Sequence, residues 1–318
     1  MATRRLALAA VLIASIVAAC SSDDDRSSTT TGAPTRAAES TTTSPGPSLP
    51  AAPTRDDTGD QTPPVGTNGL HLDADGNLWI ADGQGDQVIQ VDVDSGAILA
   101  RYPTAGGATP DDIAIDEPGR VFWTGFGSGD IGRIDPATGE HVYVADLPEA
   151  ANPITFALDG RLFIGLAVLD DALYEADPRG IDGARLLSED LGNVNGFDVA
   201  ADGYLYGPRA NGEVVRIDWE AGTVTDVIAS GLGFPAALKE GPDGALYVLS
   251  AAPAPPTIRR VDIATGAVTE VVELDTRVVD NLAVGADGTF YVTTFDRPVV
   301  LVVPPDGEPH ELPIGDAA

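Results

Sequence analysis

Leu70-His71-Leu72-Asp73-Ala74-Asp75-Gly76-Asn77-Leu78-Trp79 is the stretch on which the fold turns. Leu70-His71-Leu72 alternates apolar and polar, the period of a half-buried strand. Asp75-Gly76 is a tight-turn pair, because glycine enters the φ > 0 conformations of a hairpin at no steric cost. Leu78 and Trp79 then open a second apolar segment.

The same signature recurs down the chain. Its turn glycines are Gly76, Gly119, Gly160, Gly203, Gly244 and Gly288, at intervals of 43, 41, 43, 41 and 44 residues. Three residues after each glycine stands an aromatic: Trp79, Phe122, Phe163, Tyr206, Tyr247 and Tyr291. Six residues before each stands an apolar residue: Leu70, Ile113, Ile154, Phe197, Leu238 and Leu282. A second landmark, an Asp closing a third strand, falls at Asp92, Asp135, Asp177, Asp218 and Asp262, each soon followed by a turn glycine. Each unit reads strand, tight turn, strand, loop, strand, turn, strand. Four strands in roughly 40–45 residues is a propeller blade. The sequence predicts an all-β, six-bladed β-propeller over residues 65–318, with four antiparallel strands per blade. The last repeat carries its own four strands, so the closure of the ring stays open.

Two segments precede the propeller. Arg4 and Arg5 followed by the uncharged run Leu6 to Ala19 read as an export signal over residues 1–19, too short for a comfortable membrane span. Val17-Ala18-Ala19-Cys20 resembles the lipobox of bacterial lipoproteins, which implies lipidation of Cys20. That cysteine is the only one in the chain, so disulfides and thiol catalysis within it are excluded. Residues 20–64 are rich in Ser, Thr, Pro, Ala and Asp with almost no large apolar side chain, and read as a disordered tether. The expected location is extracytoplasmic, lipid-anchored to a bacterial cell membrane, as a monomer. With 18 Lys and Arg against 49 Asp and Glu, the net charge of -31 excludes nucleic acid as a ligand.

Propeller ligands usually bind at the axial mouth where the innermost strands begin, eight residues before each turn glycine. That register holds Asn68, Asp111, Asn152, Asn195, Ala236 and Asp280. Converging oxygen ligands are what Ca²⁺ or Mg²⁺ require. The same residue types cap strand starts and bond turn backbones, so a structural role stands beside the metal role. Asp111 and Asp280 are the candidate catalytic carboxylates. Asn195, Asn152, Asn68, Asp111 and Asp280 are the candidate metal ligands. The loops between second and third strands open on the same face and add Asp82, Asp86, Asp130, Asp170, Asp171, Asp296 and Arg209. Arg209 is the candidate for gripping an anionic or carbonyl group of a substrate, against a solvated loop arginine. None of the three histidines, His71, His141 and His310, falls at the predicted mouth, which argues against a histidine general base there.

Asn193-Val194-Asn195-Gly196-Phe197-Asp198-Val199 with Ala201-Asp202-Gly203-Tyr204-Leu205-Tyr206 resembles the senescence-marker-protein/gluconolactonase (regucalcin-like) superfamily. Phe234-Pro235-Ala236-Ala237-Leu238 with Gly241-Pro242-Asp243-Gly244-Ala245-Leu246-Tyr247 adds to the resemblance, as does Asp280-Asn281-Leu282-Ala283-Val284. It implies a metal-dependent lactonase whose central divalent ion is held by a Glu, an Asn and an Asp from different blades. Asn195 matches the Asn ligand, Asn68 stands at the Glu and Ala236 at the Asp, leaving Asp111 and Asp280 to compensate. Two functions follow as expectations: a lactone or ester hydrolase with an altered axial metal site, or a non-catalytic cell-surface propeller recognising a small molecule, glycan or protein. Gly119-Arg120-Val121-Phe122-Trp123-Thr124 with Ile131-Gly132-Arg133-Ile134-Asp135 also resembles the repeat of streptogramin-lyase-type propellers, which implies seven blades and histidine chemistry; six repeats are present here.

Overall fold

A computed structural model describes residues 54–56, 58–167 and 171–316. Cys20, the signal segment and Asp170 lie outside the described residues. Six sheets of four antiparallel strands follow one another along the chain, each built from consecutive strands. The blades span 70–103, 110–146, 151–188, 198–229, 234–273 and 282–313. The first strands are Leu70–Leu72, Pro110–Ile115, Ala151–Phe156, Asp198–Val199, Phe234–Glu240 and Leu282–Val284. Each packs against the first strands of its two neighbours around the ring, so these six line the axis.

The repeat is legible in the backbone. The six landmark glycines all have positive φ, between 72° at Gly244 and 88° at Gly288. In the first five blades the Asp that closes the third strand accepts turn amides, as Asp262 Oδ1 does from Thr265 N at 2.9 Å. That bond replaces water on an amide the turn leaves unpaired.

The core consists of wedges between neighbouring sheets. Leu70, Leu78 and Ile80 of the first blade pack with Val300 and Leu312 of the sixth. Phe163, Phe197 and Val215 join the third blade to the fourth. Between the first two blades the wedge is aromatic, with Trp79 and Tyr102 centroids 5.4 Å apart and Trp123 and His141 5.7 Å apart. His141 Nε2 accepts from Trp123 Nε1 at 3.0 Å, so this imidazole is a packing element of an outer strand.

No strand is exchanged between the first and last blades. The buried Thr67 hydroxyl donates to Val299 O and accepts from Thr294 N, both at 3.1 Å. On the outer side, Gly315 N donates to Gly96 O and Asp316 N to Gln61 O, both at 2.8 Å. Residues near the end of the stretch read as a tether take part: Asp56 bridges Arg101, and Ile98 N donates to Gln61 Oε1 at 2.9 Å.

Candidate functional site

At the mouth, Asn68, Asp111 and Asp280 come from the first, second and sixth blades, three neighbours in the ring. Asn68 Nδ2 donates to Asp111 Oδ2 at 3.0 Å. Asp280 is close enough to raise the proton affinity of Asp111. Burial, then the charges of Asp280 and Asp112, drive the Asp111 carboxyl far above the ordinary carboxylate range, with the Asn68 bond opposing them. Burial and then Asp112 push Asp280 up to about 7. Like charges gathered in a poorly solvated place hold protons because neither can ionise cheaply beside the other.

The other expected ligands are placed differently. Asn195 Oδ1 accepts from Gly196 N at 2.9 Å, a bond within its own turn. Asn152 is buried, and its carbonyl accepts from Thr124 Oγ1 at 2.8 Å. Ala236 is buried and supplies no donor. Among the described residues, no three His, Cys, Asp or Glu come together as a metal-holding group. What the mouth offers a hard cation is two carboxylates and one amide oxygen.

Arg209 is engaged within the fourth blade's loop. Its Nε donates to Leu191 O at 2.8 Å and its Nη1 pairs with Glu213 Oε2 at 3.2 Å. The aspartates of the loops likewise hold backbone. The fully buried Asp82 accepts from Gly66 N, Gly85 N, Val65 N and Gln87 Nε2. Asp86 accepts from Gly107 N at 2.9 Å and Thr109 N at 3.0 Å, and Asp171 from Gly192 N at 2.7 Å. In each case a carboxylate carries one loop's amides across to another.

Sequence reasoning missed the layer beneath the mouth. Asn281 Nδ2 donates to Asp112 Oδ1 at 2.7 Å, joining the sixth blade to the second past the first. Asp112 Oδ2 also accepts from Ile154 N at 3.2 Å. This clasp fixes the residues following Asp111 and Asp280 and so sets where those two carboxylates meet. Five residues before the turn glycines stand His71, Ala114, Thr155, Asp198, Lys239 and Ala283. That register lies about 10 Å further along the strands than the mouth. Lys239 of the fifth blade lies 4.0 Å from Asp198 Oδ1 of the fourth, and its charge opposes the burial that raises the proton affinity of Asp112 in the second. The register removes His71 from the mouth, as expected, but seats it inside the channel. Counting five residues back from each turn glycine, three beyond the mouth register, would have found this second ring.

Close approach of neighbouring first strands explains two glycines at the mouth. A Cβ on Gly69 would lie 2.3 Å from Asp111 O, and one on Gly196 2.5 Å from Ala237 Cα. Only glycine lets these strands meet.

Residues 67–169 match the family described as SMP-30/Gluconolactonase/LRE-like region. The superfamily expected from the sequence is thereby supported. Comparison with curated proteins finds no match. Among solved structures, the chain is similar to virginiamycin B lyase from Staphylococcus aureus, at TM-score 0.62 and 19% identity, covering 82% of this chain and 88% of that one. It is similar to a gluconolactonase from Xanthomonas campestris, at TM-score 0.60 and 18% identity, covering 81% and 97%. A third is regucalcin from Agrobacterium tumefaciens, described as calcium-binding, at TM-score 0.56 and 18% identity, covering 76% and 85%. At these identities the likeness is one of fold.

Proposed function

We propose that this gluconolactonase-like propeller is a divalent-metal-dependent lactone or ester hydrolase with an altered axial site. The observation that carries the reading is the pair of acidic side chains, Asp111 and Asp280, at the mouth, with raised proton affinity and no cationic partner among the described residues. A hard divalent cation, Ca²⁺ or Mg²⁺, fits a donor set of two carboxylates and the Asn68 amide oxygen. Bound there, it would polarise a carbonyl oxygen. The chain's own residues supply the rest. Asn68 Nδ2 orients Asp111. Asp112 and Asn281 brace the strand starts. Asp280, which burial and Asp112 make reluctant to ionise in the ion-free protein, would be held ionised beside the cation and would accept a hydrogen bond from an attacking water. The site would then have moved around the ring from Asn195 and Ala236 to the first, second and sixth blades.

The test is turnover of the purified full chain on a panel of lactones and esters, with and without chelator, together with its metal content. Chelator-sensitive turnover that falls at least tenfold in Asp111→Asn is expected. No turnover and no bound metal overturns the reading.

One observation favours a second reading, a non-catalytic propeller binding a small molecule or glycan. Ala236 supplies no ligand and Asn195 is spent on its own turn. Saturable glycan or small-molecule binding without turnover would select it.

We further propose that the protein is exported and held on the membrane as a monomer through lipid on Cys20. The motivation is the apolar run ending in Val17-Ala18-Ala19-Cys20. Two acyl chains are needed for stable attachment, because one binds only marginally. Cys20→Ser should move the protein from the membrane to the soluble fraction; unchanged partitioning would refute the anchor.

A further inference from the structure

Neighbouring blades are joined by the chain itself everywhere except between the sixth and the first, where the ring meets. The residues leading into the first blade run along that seam and fasten it at both ends. At the rim, Gln61 O accepts from Asp316 N at 2.8 Å. Toward the axis, a Cβ on Gly66 would lie 2.4 Å from Phe295 O, so the backbone of this segment touches a loop of the sixth blade. The next residue, Thr67, donates to Val299 O at 3.1 Å. Between the two fastenings stand Pro63 and buried Pro64, whose rings fix φ and stiffen the stretch.

Before Gln61 the same segment lies along the outer strand of the first blade, Ile98–Pro103. Asp56 N donates to Arg101 O at 2.8 Å, and Arg101 N to Asp56 O at 3.3 Å. Gln61 uses its side-chain amide as a strand uses its peptide: Nε2 donates to Ile98 O and Oε1 accepts from Ile98 N, both at 2.9 Å. Arg101 shows how closely the edge is covered. It is 6% exposed, although it belongs to the outer strand. Its Nε donates to Asp60 O at 3.2 Å, and its Nη2 to Thr62 O. A guanidinium is buried only where its donors are answered, and here the covering segment answers two of its nitrogens. Arg55 carries the contact on to the second blade, donating to Pro136 O at 3.5 Å.

We propose that residues 54–66 are a strap that holds the ring shut, and that drawing the strap off the rim opens the seam and withdraws Asn68 from Asp111. The coupling is covalent and short. Asn68 follows the strap by two residues, and its Nδ2 holds Asp111 Oδ2 at 3.0 Å. Gly69 N donates to Asp111 O. One continuous stretch thus joins the outer edge of the first blade to the axial mouth, so tension on the chain that precedes the strap is delivered there. The device acts whether or not the mouth is catalytic.

Hydrogen exchange of the full chain, read residue by residue, tests this. The amides of Asp56, Ile98 and Asp316 at the rim, and of Gly69 and Thr294 near the axis, should exchange as one cooperative unit with a common dependence on urea. Gln61→Leu removes the two side-chain bonds to Ile98 and leaves the strand ladders intact. It should speed all of these amides by about tenfold or more, while those of Val214–Asp218 in the fourth blade keep their rates. Asp56→Pro, which removes the donor to Arg101 O, should act on the same amides. A response confined to Ile98 in Gln61→Leu, with Gly69 and Thr294 unmoved, overturns the proposal. Should either variant fail to fold by circular dichroism, the unaltered chain decides: separate rates and separate urea dependences for the rim and axial amides overturn it.

Discussion

Replacing Asp280 by Asn should stabilise the propeller at neutral and alkaline pH and leave it almost unchanged in acid. The Asp280 carboxyl sits at about 7 in the folded chain, against 3.8 for the ordinary side chain. A raised carboxyl pKa means that the native state binds a proton the unfolded chain has already lost. Its contribution is complete below about pH 4 and disappears as pH rises toward 7. At about 1.4 kcal/mol per pH unit, the full shift corresponds to at most about 4 kcal/mol. The side chain is half-buried, and water reaching it lowers the figure to about 2 kcal/mol. For a domain of this size that is roughly 4–8 °C in melting temperature. The substitution is clean, because the hydrogen bond of Asp280 at this position is made by its backbone N–H to Thr293 O at 3.1 Å, which Asn keeps. Urea unfolding at intervals from pH 4 to pH 8, in the presence of chelator, measures it. Stability of the unaltered chain should fall across that window more steeply than that of Asp280→Asn. Parallel profiles would refute the crowding of carboxylates at the mouth. Adding Ca²⁺ should then restore stability to the unaltered chain above pH 7 and do less for the variant.

Three further substitutions probe what holds the ring and its mouth. Thr67→Val removes the hydroxyl bonded to both Val299 O and Thr294 N at the ring junction, and should cost about 2 kcal/mol in urea unfolding because a buried amide is left unpaired. Asp82→Ala strands the amides of Val65, Gly66 and Gly85 together with Gln87 Nε2; a loss of about 3 kcal/mol is expected by thermal unfolding, and a loss below about 0.5 kcal/mol would show that water replaces the carboxylate. Gly196→Ala puts a Cβ 2.6 Å from Ala236 O at a φ of 46°, and should lower stability by about 2–3 kcal/mol, seen as an earlier melting transition.

The repeat and the blade count were readable from the chain because they depend on local physics. Gly244 must follow Asp243 wherever a tight turn needs positive φ, and Tyr247 must recur wherever a blade offers an apolar face. Such requirements act over a few residues, so they print a period into the sequence. The mouth was half legible for the same reason. Counting back from the turn glycine found Asp111 and Asp280, because a fixed strand length sets the distance from turn to axis. It could not tell which members of that register converge.

Convergence belongs to the tertiary structure, because it depends on residues far apart in the chain meeting across an axis. Asn281 reaches Asp112 over a separation of 169 residues, and Thr67 reaches Val299 over 232. No local pattern encodes either contact. Nor does any local pattern reveal that Asn195 Oδ1 accepts from Gly196 N, or that the single lysine of a strongly acidic chain lies 4.0 Å from Asp198 of the neighbouring blade. The sequence by itself determined six repeats of four strands and the register that points to the axis. Only the ring, by bringing opposed blades within reach of one another, decided which side chains share the channel and what charge they carry there.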